Sequence, residues 1–197
     1  MDGVKQAYHH KDLRNALVDE AIAMLADGGT SNVTLRELAR RLGVTHTAPY
    51  AHFADKTALL EVVADAGFER LYQTLAAARD EATDPVSAFD AMGLAYVKFA
   101  RENPNWYRLM FADPELACDP DVEWSEEGDR AFGVLVEAIN AFGPPPGLDP
   151  RDFATAIWAF VHGVAMLEID QRIDMKTMQS AEDVLRIGTR VFTGLRA

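Results

Sequence analysis

Apolar residues recur along this chain at spacings of three and four, the period of an amphipathic helix. The first such segment spans 12–26, with Leu13, Ala16, Leu17, Ala21, Met24 and Leu25 on one side and Asp27-Gly28-Gly29 as its stop. Thr34 followed three residues on by Glu37 predicts a capping box, in which each side chain satisfies the other residue's orphan backbone donor. Leu35, Leu38, Ala39 and Leu42 then share a face, and Gly43 ends that helix. A second short helix is expected to open at Thr45, with Val44, Tyr50 and Phe53 packed inward and Thr45, His46, Thr47, Ala51 and His52 facing solvent. Asp55 caps a longer helix whose stripe is Leu60, Val63, Ala64, Gly67, Phe68, Leu71 and Leu75.

The same period continues to the end. Val86, Phe89, Gly93, Tyr96, Val97 and Ala100 mark a helix over 85–101, broken by Asn103-Pro104, and the short dense segment NWYRLMF follows. Residues 113–121 read as an acidic, Pro-containing loop, and 122–142 as a helix with Phe132, Leu135, Val136 and Ile139 inward. Gly143-Pro144-Pro145-Pro146-Gly147 stops it. Between 153 and 167 only Thr155 and His162 are polar, so this helix has no ordinary wet face, and it is shorter than a bilayer span. The expected fold class is all-α with about nine helices: a three-helix head containing a helix-turn-helix, joined by a long helix to a C-terminal helical bundle.

The unmatched apolar side of 153–167 predicts assembly. One side can pack within the chain. The last helix is apolar as well, through Val184, Leu185, Gly188, Val191, Phe192 and Leu195. The economical cover for both is the same pair from a second copy, an isologous four-helix interface. Trp158, Val161, His162, Gly163, Val184, Gly188, Val191 and Phe192 are its candidate residues, with Gly163 and Gly188 permitting close backbone approach.

Two short helices joined by a Gly turn, the second with a small hydrogen-bonding outer face, have the form of a helix-turn-helix DNA reader. The net charge of −12 sharpens this reading once it is divided along the chain. Residues 1–56 carry seven Lys+Arg against seven Asp+Glu, so the whole excess of acid lies beyond the reader. Such a chain would meet DNA through its head alone, with weak non-specific affinity. An apolar share of 49% with 25% charged residues excludes a disordered chain. The single Cys118 can form no internal disulfide and no zinc site, the N-terminus has no apolar signal core, and a cytoplasmic location without membrane or cofactor is expected.

The head then resembles the N-terminal domain of the TetR family of transcription repressors. The resemblance rests on the Gly pair after the first helix, TLRELARRLGV, the reader with Tyr50 and His52 before Phe53, and Asp55-Lys56. YHHKDLR and APYAHFADKTALL resemble one branch of that family in particular, marked by a Trp, His and Gly in its C-terminal domain, which Trp158, His162 and Gly163 match. The resemblance implies a dimer formed through the last two helices and a near-palindromic double-stranded operator. Pro49 departs from the commoner Leu; without a backbone donor it is tolerated only in a first turn, which predicts a stiff, distorted reader.

These readings set a helix-turn-helix DNA-binding domain over 1–56 and an effector-binding and dimerisation domain over 57–197. Thr45, His46 and Thr47 are placed for base edges, Thr34, Tyr50, His52 and Lys56 for phosphates, and Arg36 for either. Lys56 stands in a helix's first turn, where a phosphate would offset the clash with the positive helix end. The polar arm Tyr8-His9-His10-Lys11 either reaches the duplex or frays. Phe99, Trp106, Tyr107, Met110, Phe111, Trp158, His162 and Met166 are candidates to line a pocket for a small apolar or aromatic effector, or are ordinary core. His162 either meets that effector or bonds a partner group. Two other functions stay open: a DNA-binding dimer whose body serves only protein partners, and an all-helical enzyme. Against the enzyme, Glu126, Glu127 and Asp129 have no His at ligand spacing, and no phosphate loop or nucleophile elbow is present.

Overall fold

The computed structural model describes residues 10–112, 116, 125–173 and 180–194. Eight α-helices lie among them: α1 (His10–Gly28), α2 (Leu35–Arg41), α3 (Lys56–Asp80), α4 (Pro85–Glu102), α5 (Pro104–Ala112), α6 (Glu126–Phe142), α7 (Pro150–Ile169) and α8 (Ala181–Gly194). Two 3-10 turns, Thr30–Asn32 and Ala48–Ala51, complete the order, and no strand occurs among the described residues. The fold is all-α, as the periodicity predicts. The expected count of about nine includes the reader as a helix, which the structure builds as the second 3-10 turn. Residues 1–9, with Tyr8 and His9 of the polar arm, most of the loop at 113–121 and the first residues of the helix expected from 122 fall outside the described residues.

Contacts divide the chain into two compact units. One comprises residues 1–64 and 105–119, the other 65–104 and 120–197. The division falls inside α3 rather than at its start, and gives α5 to the first unit.

Unit one has a single core. Leu17, Ala21, Met24 and Leu25 of α1 meet Leu35 and Leu38 of α2, Phe53, and Leu59, Leu60 and Val63 of α3, all buried. From α5, Leu109 joins the same cluster and Trp106 packs against it. Trp106 donates its indole N–H to the Val63 carbonyl at 2.7 Å, and Asn105 donates to the Leu25 carbonyl at 3.1 Å. A buried indole needs such an acceptor, since an unmet N–H would cost about 1–3 kcal/mol.

In unit two α7 packs on α4, α6 and α8. Phe89, Ile139, Phe153, Ala154 and Ile157 form its centre, edged by Phe142 and Phe192 in T-shaped ring contacts at 5.4 and 6.0 Å. Aspartates placed just before prolines start two of its helices. Asp84 accepts from the Val86 and Ser87 amides, and Asp149 from the Arg151 amide. The proline that follows each aspartate has no N–H to leave unpaired.

α7 is longer than the apolar run suggests. Its 20 residues, with a best-window mean hydropathy of 1.3, are long and apolar enough to cross a membrane by length and composition. Its packing against three other helices, and the charges of Arg151, Asp152 and Glu168 near its ends, are those of a core helix.

Candidate nucleic-acid interface

α2 is fixed at both ends by its own sequence. Thr34 is its N-cap, accepting from the Glu37 amide at 3.2 Å, but the other half of the expected capping box is replaced. The Glu37 carboxylate turns instead to the guanidinium groups of Arg40, at 2.6 and 2.8 Å, and Arg41, at 3.1 Å. Arg41 also donates to Glu20 of α1 at 3.0 Å. Hydrogen bonds from Arg40 and then Arg41 hold the Glu37 carboxyl down at about 2. At the other end Gly43 takes φ +67, its amide reaching Arg40 O and the Val44 amide reaching Ala39 O. This is a Schellman stop, and the left-handed residue in it is the one that carries no Cβ.

The reader differs from expectation for a reason its own sequence contains. Pro49 cannot donate to the Thr45 carbonyl, so that carbonyl accepts from Ala48 at 3.0 Å and the chain tightens into a 3-10 turn. Thr45 therefore opens a turn rather than capping a helix, its hydroxyl 3.3 Å from that of Thr47. Pro49 and Phe53 are buried against the unit-one core, and the Pro49 carbonyl accepts from both His52 and Phe53. Fixing the inner side with a ring turns the other side outward. Thr45, His46 and Thr47 are exposed, and Tyr50, expected both inside and at phosphates, is 56% exposed. His52 and Lys56 are half-buried, and Asp55 caps α3 by accepting from the Ala58 amide at 2.9 Å.

Thr34, Arg36, Arg40, Val44 and His46 line one open groove, and Arg36, His46 and Tyr50 a second beside it. Four of the eight residues singled out for DNA, Thr34, Arg36, His46 and Tyr50, thus line these two grooves, and Thr45 and Thr47 are exposed on either side of His46. Sequence reasoning did not find Arg40. Its place one turn after Glu37 on an exposed helix face was the available signal.

The eight residues proposed for an effector pocket are divided between the two units. Trp106, Tyr107, Met110 and Phe111 belong to α5 in unit one, where Tyr107 is fully buried, whereas Phe99, Trp158, His162 and Met166 belong to unit two. Periodicity had assigned α5 an apolar face but could not say which core receives it. In unit two, Trp158 donates to the Tyr96 hydroxyl at 3.2 Å, which lies 3.4 Å from His162 Nδ1, and the Trp158 and His162 rings are 5.5 Å apart. Burial pushes the His162 imidazole below its ordinary value.

The interface candidates divide similarly. Val161 and Gly188 are used within the chain; a Cβ at Gly188 would stand 2.3 Å from Phe160, so the close approach that this glycine permits is to α7 of its own subunit. Phe192 packs on Phe153 and Phe160. Val191 is 54% exposed, and the unforeseen Ile187 and Leu167 are 50% and 46% exposed. No cluster of three or more metal-ligating side chains occurs among the described residues.

A capped helix, a glycine turn and an outward polar reader on a small helical core, followed by a larger helical unit, define a helix-turn-helix regulator. Comparison with known proteins gives the family. Residues 17–63 match the bacterial regulatory proteins of the tetR family, and residues 89–192 match the tetracyclin repressor-like C-terminal domain. The chain belongs to the TetR family and is a DNA-binding transcriptional regulator. It is 31% identical to a Rhodococcus sp. RHA1 protein of unknown function, with a TM-score of 0.82 over 96% of this chain and 98% of that one. An uncharacterized HTH-type transcriptional regulator of Haemophilus influenzae is 35% identical over 115 residues, 57% of this chain, and the match spans only 55% of that relative's length. A TetR variant from Acinetobacter baumannii in complex with minocycline shares the fold at 19% identity, with a TM-score of 0.63 over 93% of this chain and 97% of that one.

Proposed function

We propose that this protein is a homodimeric repressor that reads a near-palindromic operator through its head and is released by a small apolar or aromatic effector bound in its body. Thr45, His46 and Thr47 contact base edges, Thr34, Tyr50, His52 and Lys56 contact phosphates, and Arg36 contacts either. The observation that carries this reading is the reader itself, with Pro49 and Phe53 buried while Thr45, His46, Thr47 and Tyr50 stand exposed on the opposite side. A large aromatic left in water beside a basic groove has no use in the core, and its hydroxyl suits a phosphate oxygen. Two heads related by a two-fold axis would meet half-sites about one helical turn apart. The chain carries no enzymatic role in this reading, works in the cytoplasm and needs no cofactor.

The test is selection of bound DNA from a random pool, repeated with cell metabolites, followed by Tyr50→Ala and Lys56→Ala. Each variant is expected to keep its helical circular dichroism and unfolding midpoint while operator affinity falls at least tenfold. Unchanged affinity in both would overturn the assigned surface. A second reading, a body that serves only for dimerisation or a protein partner, draws on one observation: the ring-lined cavity beside Phe89, Tyr96 and Phe160 measures only about 50 Å³. No metabolite altering operator affinity would favour it.

A further inference from the structure

The small cavity of unit two has an uneven chemistry. It lies among α3, α4, α7 and α8, and its walls are mostly apolar, with the rings of Phe89, Tyr96, Phe160 and Phe192 among them. Asp90 is the one charged residue in this lining. Its Oδ1 accepts from the Thr189 hydroxyl at 3.0 Å, and among the described residues no cation pairs with it. A carboxylate bordered by apolar surface is a ready counter-ion for a cation that enters beside it. Aromatic faces add attraction for that cation and none for an anion.

Gly93 supplies an independent sign. It sits in the interior of α4, where glycine is less favourable than alanine, and it lines the same cavity. A Cβ there would meet nothing within 4 Å, so no neighbour requires the glycine. What the missing side chain leaves is room beside Asp90.

We propose that this cavity receives the ammonium group of an apolar amine, with Asp90 as its counter-ion. The proposal rests on the effector reading above and gives that effector a chemical class. One water needs about 10–15 Å³ of such space, so a cavity of about 50 Å³ has room for the head group. The apolar tail lies against the ring-lined walls, and Thr189, still bonded to the carboxylate, keeps Asp90 turned toward the head group. Binding therefore acts on the seam that joins α8 to α4.

The test uses the full chain and two small compounds of nearly equal shape, 2-phenylethylamine, a cation at pH 7, and neutral 2-phenylethanol. Calorimetric titration is expected to show the amine binding at least tenfold tighter. Asp90→Asn, whose amide oxygen can still accept from Thr189, is expected to remove that preference and leave the alcohol unchanged. Gly93→Leu, which fills the open space, is expected to weaken both compounds at least tenfold and remains informative where Asp90→Asn fails to fold. Equal affinities, no binding of either compound, or a preference that survives Asp90→Asn would overturn the proposal. Operator affinity, followed separately by fluorescence anisotropy, distinguishes the two levels. Amine binding through Asp90 with no change in operator affinity keeps this site and removes the effector reading. Release by other metabolites with no amine binding keeps the effector reading and removes this site.

Discussion

Glu37 draws both neighbouring arginines onto itself and away from solvent anions. Arg40 and Arg41 donate to its carboxylate, and Arg41 is shared with Glu20. Removing that charge, Glu37→Gln, is expected to release Arg40 beside the groove while Arg41 keeps Glu20. Non-specific affinity for random duplex DNA should rise, and the slope of log affinity against log salt should steepen by about 1, measured by anisotropy over a salt series. The same carboxylate carries a pH signature. Because its folded value of about 2 lies below the ordinary 4.5, its contribution is complete above the ordinary range and is lost as pH falls toward the folded value. Gly188→Ala drives a methyl into the Phe160 ring and is expected to cost about 1–3 kcal/mol in chemical denaturation. What the sequence revealed at this scale was local. Thr34 and Asp55 declare themselves as caps because a cap acts on amides two or three residues away. Glu37 does not declare its preference, because its competition between the Thr34 amide and two arginines is decided by rotamers and not by spacing.

At the scale of elements, Pro49 shows how far one residue reaches. A single missing donor changes the reader from an α-helical turn to a 3-10 turn, buries the ring and aims Tyr50 outward. The distortion was legible because it follows from covalent structure; the outward Tyr50 was less so, because it depends on which side the ring packs. In unit two, α4 and α7 meet through Tyr96, Trp158 and His162. Burial lowers the His162 value, so the unfolded chain takes up a proton below about 6.5 that the folded chain refuses, and stability falls as pH drops through that window. His162→Gln is expected to flatten the dependence of the urea midpoint on pH below about 6.5, the ordinary imidazole value. An unchanged slope would show that the imidazole is not the group responsible.

At the scale of the whole molecule, Ile187 and Val191 of α8 and Leu167 of α7 are apolar side chains left exposed, and they belong to the surface proposed for the dimer. The double variant Ile187→Glu, Val191→Glu is expected to give a monomer mass by light scattering and to lose operator affinity while keeping its helical content. A retained dimer would place the interface elsewhere. That helices α7 and α8 have apolar surface to spare was readable from composition, since a helix with two polar positions in fifteen has too little wet face. Which residues stay outside was not, because Gly188 and Phe192 have the right chemistry for either side and only three-dimensional packing chooses.

The indole of Trp106 reaches across sequence to Val63, and Leu109 enters the core built by the first sixty-four residues. The reading head is therefore not a contiguous gene segment. A chimera that transplants residues 1–64 onto a foreign body would leave behind the helix that closes its core, and should emerge with exposed Leu60 and Val63, poor solubility and blunted operator binding. Supplying the NWYRLM segment in trans or by a linker should restore it. Evolution by simple head exchange between such proteins would face the same obstacle, since the segment that must travel with the reader is encoded more than forty residues downstream, in the middle of the body it would leave.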